Sequence, residues 1–164
     1  MHNEHGDELA GGLYAPLLVL KPGRPFDPET DRVFVIGTGG PGAGRGGKTG
    51  PHSLTARPHP ARSTWSSARP TGWLLDISAN EAHAVTLCGP AGLATWRAFA
   101  RDGWDLAADE ATAQPARVTT ASGVTRDFEL TPGAAGDYAL AVATVVATRP
   151  TGHVTTVPIR VRVR

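Results

Sequence analysis

The sequence predicts an all-β protein with the architecture of a Greek-key β-sandwich, and three observations predict it. Its 20 glycines and 14 prolines exceed a fifth of the 164 residues, a share high for helical proteins and usual where turns separate many short strands. Apolar runs of strand length recur along the chain at turn-bounded intervals. Only Asp105–Thr112 suits even a short helical turn.

The strands are read in order. Leu13–Leu20 is a buried-strand run closed by the turn Pro22-Gly23, and Arg32–Ile36 is a second, stopped at Gly37. Ala82–Leu87 and Thr95–Phe99 follow, separated by Gly89-Pro90-Ala91-Gly92. Arg117–Thr120, Thr125–Leu130, Asp137–Thr148 and Thr155–Val163 complete the set. Thr125–Leu130 alternates polar with apolar residues, as a half-exposed strand does. Thr131–Gly136 is a turn by its proline and glycine content.

Composition excludes several classes. Lys+Arg total 16 against 15 Asp+Glu, which lacks the basic excess of a nucleic-acid binder. One cysteine allows no internal disulfide and no multi-thiolate metal site. No apolar run reaches the roughly 18–20 residues of a membrane-spanning helix, and Met1–Glu8 is not a basic-then-apolar signal sequence. The charge is uneven, however. Between Asp31 and Asp76 there is no acidic residue, while Arg45, Lys48, Arg57, Arg62 and Arg69 fall inside that interval. Residues 38–73 are mostly Gly, Pro, Ser, Thr, Ala and Arg, too poor in apolar side chains to offset the entropy of ordering them. A long disordered connector is expected there. Such a Pro/Arg/Ser/His tract is also what a shifted reading frame yields in GC-rich DNA, and a permitted back-translation of Pro51–Leu74 in another frame gives a turn, a strand, a glycine turn and a second strand.

Two blocks outside that tract carry a resemblance. His2, followed after nine residues by Gly12-Leu13-Tyr14-Ala15-Pro16-Leu17-Leu18-Val19-Leu20, resembles the stretch after a His-x-His motif in multicopper oxidases. Ala15 stands where the family usually has glycine. Pro22-Gly23, Phe26-Asp27-Pro28 and Thr30–Ile36 are similar to that family's linker into its next cupredoxin domain. The second block runs from Asp76–Asn80 through Trp96–Gly103 and Thr112–Ala116 to Asp127–Pro132, and resembles the later part of a cupredoxin domain. Val157–Arg162 resembles the end of such a protein. The resemblance implies an incomplete, cupredoxin-like sandwich in three parts. Residues 1–37 would be the tail of an upstream cupredoxin-like domain, 38–73 a disordered or frame-shifted connector, and 74–164 a partial cupredoxin-like domain.

Function is implied in the same way. Multicopper oxidases withdraw electrons from a substrate at a type 1 copper and reduce O2 to water at a trinuclear copper cluster. The resemblance assigns His2 to a type 3 copper of that cluster, with copper as the cofactor. Nothing assigns the nearby His5, read as a surface residue, although His2, Glu4 and His5 form the only metal-binding combination in the sequence. The family's His-Trp-His-Gly, His-Pro-x-His-Leu-His and His-Cys-His motifs are absent. A type 1 site needs two His, one Cys and usually an axial Met. Here the only Met is Met1, and after Cys88 no histidine occurs before His153. Cys88 is therefore expected to be a small buried hydrophobe. Asp102, Asp105, Asp109 and Glu110 lack calcium-loop spacing and read as solvated turn carboxylates. His52, His59, His83 and His153 have no metal-binding neighbours in sequence, and Gly37–Gly50 lacks dinucleotide-binding spacing. The expectation is an oxidase fragment, inactive alone, whose partner is the missing N-terminal part; the sequence leaves its compartment open, and the resemblance alone implies a periplasmic or extracellular one. The alternative is a copper-free β-sandwich interaction module.

Overall fold

The computed structural model describes residues 15–20, 22–27, 30–38, 52–57, 64–65, 71–76, 82–146 and 149–161. Thirteen strands follow one another: β1 (Asp31–Thr38), β2 (His52–Arg57), β3 (Thr64–Trp65), β4 (Thr71–Asp76), β5 (Ala82–Gly89), β6 (Gly92–Leu93), β7 (Thr95–Arg101), β8 (Trp104–Asp105), β9 (Ala113–Pro115), β10 (Arg117–Ala121), β11 (Thr125–Leu130), β12 (Gly136–Val146) and β13 (Arg149–Val161). They form two sheets. One runs β2-β1-β4-β11-β7-β8 with β9 also on β7, and the other runs β10-β5-β12-β13-β3 with β6 also on β5. Pairing is antiparallel except for β1 with β4 and β13 with β3.

Alternation puts one side chain in two of each strand into the space between the sheets. From the first sheet come Phe34, Ile36, Leu74, Trp96, Phe128 and Leu130, and from the second Val85, Leu87, Tyr138, Leu140, Val142, Ile159 and Val161. The aromatic centre is Phe128, whose ring lies 4.6 Å from Trp96 and 6.3 Å from Phe34, centroid to centroid. Gly72 stands directly across from Phe128 in the β4–β11 register. A Cβ at Gly72 would clash with the Phe128 ring, 2.6 Å from Cε2.

The chain changes sheets at two alanines. Ala94 separates β6 from β7, and Ala116 separates β9 from β10. A triangle of backbone hydrogen bonds ties both points to β5: Ala94 N donates to Leu87 O (2.9 Å), Leu87 N to Ala116 O (2.8 Å), and Ala116 N to Ala94 O (2.8 Å). Ala116 is fully buried, so the crossing has room for a methyl group and no more.

The structure departs from the sequence reading in several places. Residues 15–20, within the expected Leu13–Leu20 strand, join no ladder, yet their exposure alternates. Pro16, Leu18 and Leu20 are partly covered, while Leu17 and Val19 point outward. Strands β2, β3 and the start of β4 lie inside 38–73, where composition predicts disorder. Their order comes from backbone pairing, of β3 with β13 and of β2 and β4 with β1. β1, with Val33, Phe34, Val35 and Ile36 all buried, offers a ladder edge on each side, to β2 and to β4. Ladder bonds satisfy main-chain groups whatever the side chains. β1 is thus an interior strand of the sheet that also contains β7 and β11, and the sandwich takes in residues on both sides of position 37. Asp105–Thr112 makes one hydrogen-bonded turn, Ala111 N donating to Ala107 O at 2.9 Å, and no helix.

Candidate functional site

The one histidine and the one cysteine whose side chains are described do not converge on a type 1 copper site. His83 and Cys88 both lie on β5, five residues apart. At about 3.3 Å per residue this separates them by roughly 16 Å, and an odd spacing sends them to opposite faces. His83 is fully buried on the inner face, in register with Thr120 on β10 and Thr144 on β12. Cys88 is exposed on the outer face, opposite Ala139 and Leu93. The expectation of a buried Cys88 is therefore corrected: Val85 and Leu87 take the inward positions, and parity turns Cys88 out. His2, Glu4, His5 and His59 lie outside the described residues, as do the side chains of His52 and His153. Among the described residues no group of three or more His, Cys, Asp or Glu could hold a metal ion. Among the described residues none fit a type 1 copper. With Cys88 outward, the native chain is expected to react with one equivalent of a thiol reagent without denaturant. A mass measurement of the labelled chain checks this, and protection until unfolding would contradict it.

Asp102 is more than the solvated turn carboxylate expected. Asp102-Gly103 forms the two-residue turn between β7 and β8, with φ of 51° and 82°. Both angles are positive, as in a type I′ hairpin, for which Asp-Gly is a preferred pair. One carboxylate oxygen accepts the Thr125 backbone N–H at 2.7 Å and the other accepts Arg101 Nε at 3.3 Å. The Asp102 N–H donates to Thr125 O at 3.1 Å. Asp102 thus fastens the β7–β8 hairpin to β11 and is already committed. On the exposed face of the second sheet Arg160 Nε on β13 donates to Asp137 on β12 at 2.8 Å. That hydrogen bond, reinforced by the charge, lowers the Asp137 pKa and raises that of Arg160.

Three arginines that sequence reading did not single out line one cleft of about 250 Å³. Its apolar wall includes Leu74, Trp96, Val118 and Phe128, and its polar rim is Arg101, Arg117, Arg126, Glu110 and Gln114. Arg126 shares the inward face of β11 with Phe128 and Leu130, and stands across from Arg101 in the β7 register. Its Nη2 donates to Thr119 O at 3.3 Å, while its Nε is buried with no hydrogen-bond partner. Burial first, and the Arg101 charge second, lower the Arg126 pKa, with Asp102 pulling the other way. A signal existed: in Thr125–Leu130 the parity that sends Phe128 and Leu130 inward sends Arg126 with them.

No protein-family model matches the chain, and no curated protein matches it in sequence. Solved structures do match its fold. A protein from a marine microbial metagenome superposes with a TM-score of 0.61 at 18% identity, over 97% of this chain and 39% of that one. The multicopper oxidase mgLAC gives 0.55 at 17%, over 96% and 53%. The blue copper oxidase from Nitrosomonas europaea gives 0.53 at 18%, over 86% and 48%. The chain spans about half or less of the length of these proteins. Its two-sheet sandwich is the fold of the cupredoxin domains of multicopper oxidases.

Proposed function

We propose that the chain is a copper-free cupredoxin sandwich of multicopper-oxidase type, built to pack against a further cupredoxin domain, and does not oxidise substrates by itself. One observation carries this reading: the fold matches over nearly the whole chain, while Cys88 and His83 stand on opposite faces of β5. The segment 15–20 supports the packing role. Leu17 and Val19 are 91% and 92% exposed on one side of it. Covering such side chains stabilises by about 1.5–3 kcal/mol each. In the oxidases that this segment resembles, it closes the preceding sandwich, which would cover both residues. On this reading His2 belongs to the tail of the neighbouring domain and not to this sandwich, the remaining copper ligands belong to other parts of an oxidase, and the chain ahead of β1 leads from one sandwich into the next.

Oxygen consumption tests the proposal. The purified chain, supplied with copper and an oxidisable substrate, is expected to consume O2 no faster than the same free copper. Turnover above that background, with water as product, would overturn it. Sequencing the locus separates the two forms of the reading. Coding sequence for His-Trp-His-Gly and His-Cys-His upstream supports an oxidase part, and their absence favours a free interaction module.

A further inference from the structure

The cleft beneath β10 gathers more positive charge than the carboxylates around it offset. Of its three arginines, Arg101 is paired with Asp102, and Arg117 has no ion-pair partner among the described residues. Arg126 donates to a backbone carbonyl and forms no salt bridge among the described residues, with Asp102 acting on it only through its charge. Glu110, on the rim, is the one carboxylate among the lining residues. Two arginines placed directly across a ladder repel one another, and a guanidinium turned inward with an unpartnered Nε loses hydration that its one bond to Thr119 O replaces only in part. Sandwich stability alone would favour an apolar side chain at Arg126. An anion in the cleft reverses that balance, since a partly desolvated guanidinium binds an oxyanion more strongly than one in water. The wall of Trp96, Phe128, Leu74 and Val118 is apolar and aromatic, so a bare inorganic anion would leave most of it unmatched.

We infer that the Arg101–Arg117–Arg126 cleft is a binding site for a small carboxylate with a flat apolar body, its carboxylate on the guanidinium groups and its body against Trp96 and Phe128. The volume of about 250 Å³ suits a ligand of one ring. The inference stands apart from the reading of the chain as an oxidase domain, because it uses neither copper nor a neighbouring domain.

Benzoate is the probe, with benzamide as its uncharged isostere and the Trp96 indole N–H as the NMR reporter. Benzoate is expected to shift that signal saturably in the millimolar range or below, and benzamide to bind at least about 10-fold more weakly. Arg126→Met keeps the apolar stem and removes the charge. It is expected to weaken benzoate at least about 10-fold while melting no lower than the original protein. Arg117→Gln, at the exposed rim, gives a second reading free of core packing and should weaken benzoate about 3-fold or more. Arg160→Met, on the distant exposed face of the second sheet, should leave binding unchanged. No saturable shift, equal binding of benzamide, or unchanged affinity in both Arg126→Met and Arg117→Gln overturns the inference. A lower melting temperature for Arg126→Met with unchanged benzoate affinity would make Arg126 a structural tie instead.

Discussion

Phe128→Ala is expected to destabilise the sandwich by about 3–5 kcal/mol, the range for removing a buried aromatic ring from a packed core. Phe128 is the point where the first sheet's aromatic side chains meet, between Trp96 and Phe34. Its ring also covers the backbone of Gly72 on the neighbouring strand. Truncation removes the ring's own burial and leaves the groups around it facing a void that two sheets joined by ladders cannot close. Domains of this size have about 5–15 kcal/mol in hand, so about a fifth or more of the total is at stake. Urea unfolding followed by tryptophan fluorescence measures it. A loss below about 1 kcal/mol would show that Phe128 is not the centre of the core.

Gly72→Ala is expected to lower stability by about 1–3 kcal/mol, through overpacking. The sign is the diagnostic feature. In an unobstructed strand the same change is favourable by roughly 0.5–1 kcal/mol, because alanine restricts the unfolded chain. Here the new methyl would occupy the place of the Phe128 ring, and the ring cannot withdraw without disturbing Trp96. The two substitutions must therefore be strongly non-additive. In a Phe128→Ala background the ring is gone, and Gly72→Ala should become neutral or stabilising. Additive losses across the four proteins of that cycle would show that the two residues do not touch.

Much of the sandwich is legible in the residues, for a physical reason. Strands that carry their own apolar alternation, such as Thr125–Leu130, are found within a residue or two of where they are expected, as are Ala82–Gly89, Thr95–Arg101 and Arg117–Ala121. Strands that borrow their order are not. His52–Arg57 is held by pairing to β1, a relation between residues distant in sequence that composition does not reveal. Leu13–Leu20 shows the opposite failure. It is an apolar run of strand length, but its described residues have no ladder partner, and an apolar run without a partner gives an extended segment with one face bare.

The same division runs through the candidate site. The absence of the oxidase histidine motifs is plain in the sequence, and the parity of Val85–Cys88 was enough to separate Cys88 from the core, had the turn after it been used to fix the inward face. The arginine cleft was harder to see. Arg101, Arg117 and Arg126 come from three strands in both sheets and meet only because β10 crosses over at Ala116 to lie above β11 and β7. A constellation made by a sheet crossing has no spacing to read.

The claim that this cupredoxin fold lacks a type 1 copper site is tested most directly by titrating the purified chain with Cu(II), recording visible absorption and electron paramagnetic resonance. The account predicts no intense thiolate-to-copper absorption band, and spectra of any weakly held copper unchanged by Cys88→Ser. A strong visible band with a type 1 resonance, lost in Cys88→Ser, would contradict it and place a copper ligand on the outer face of β5.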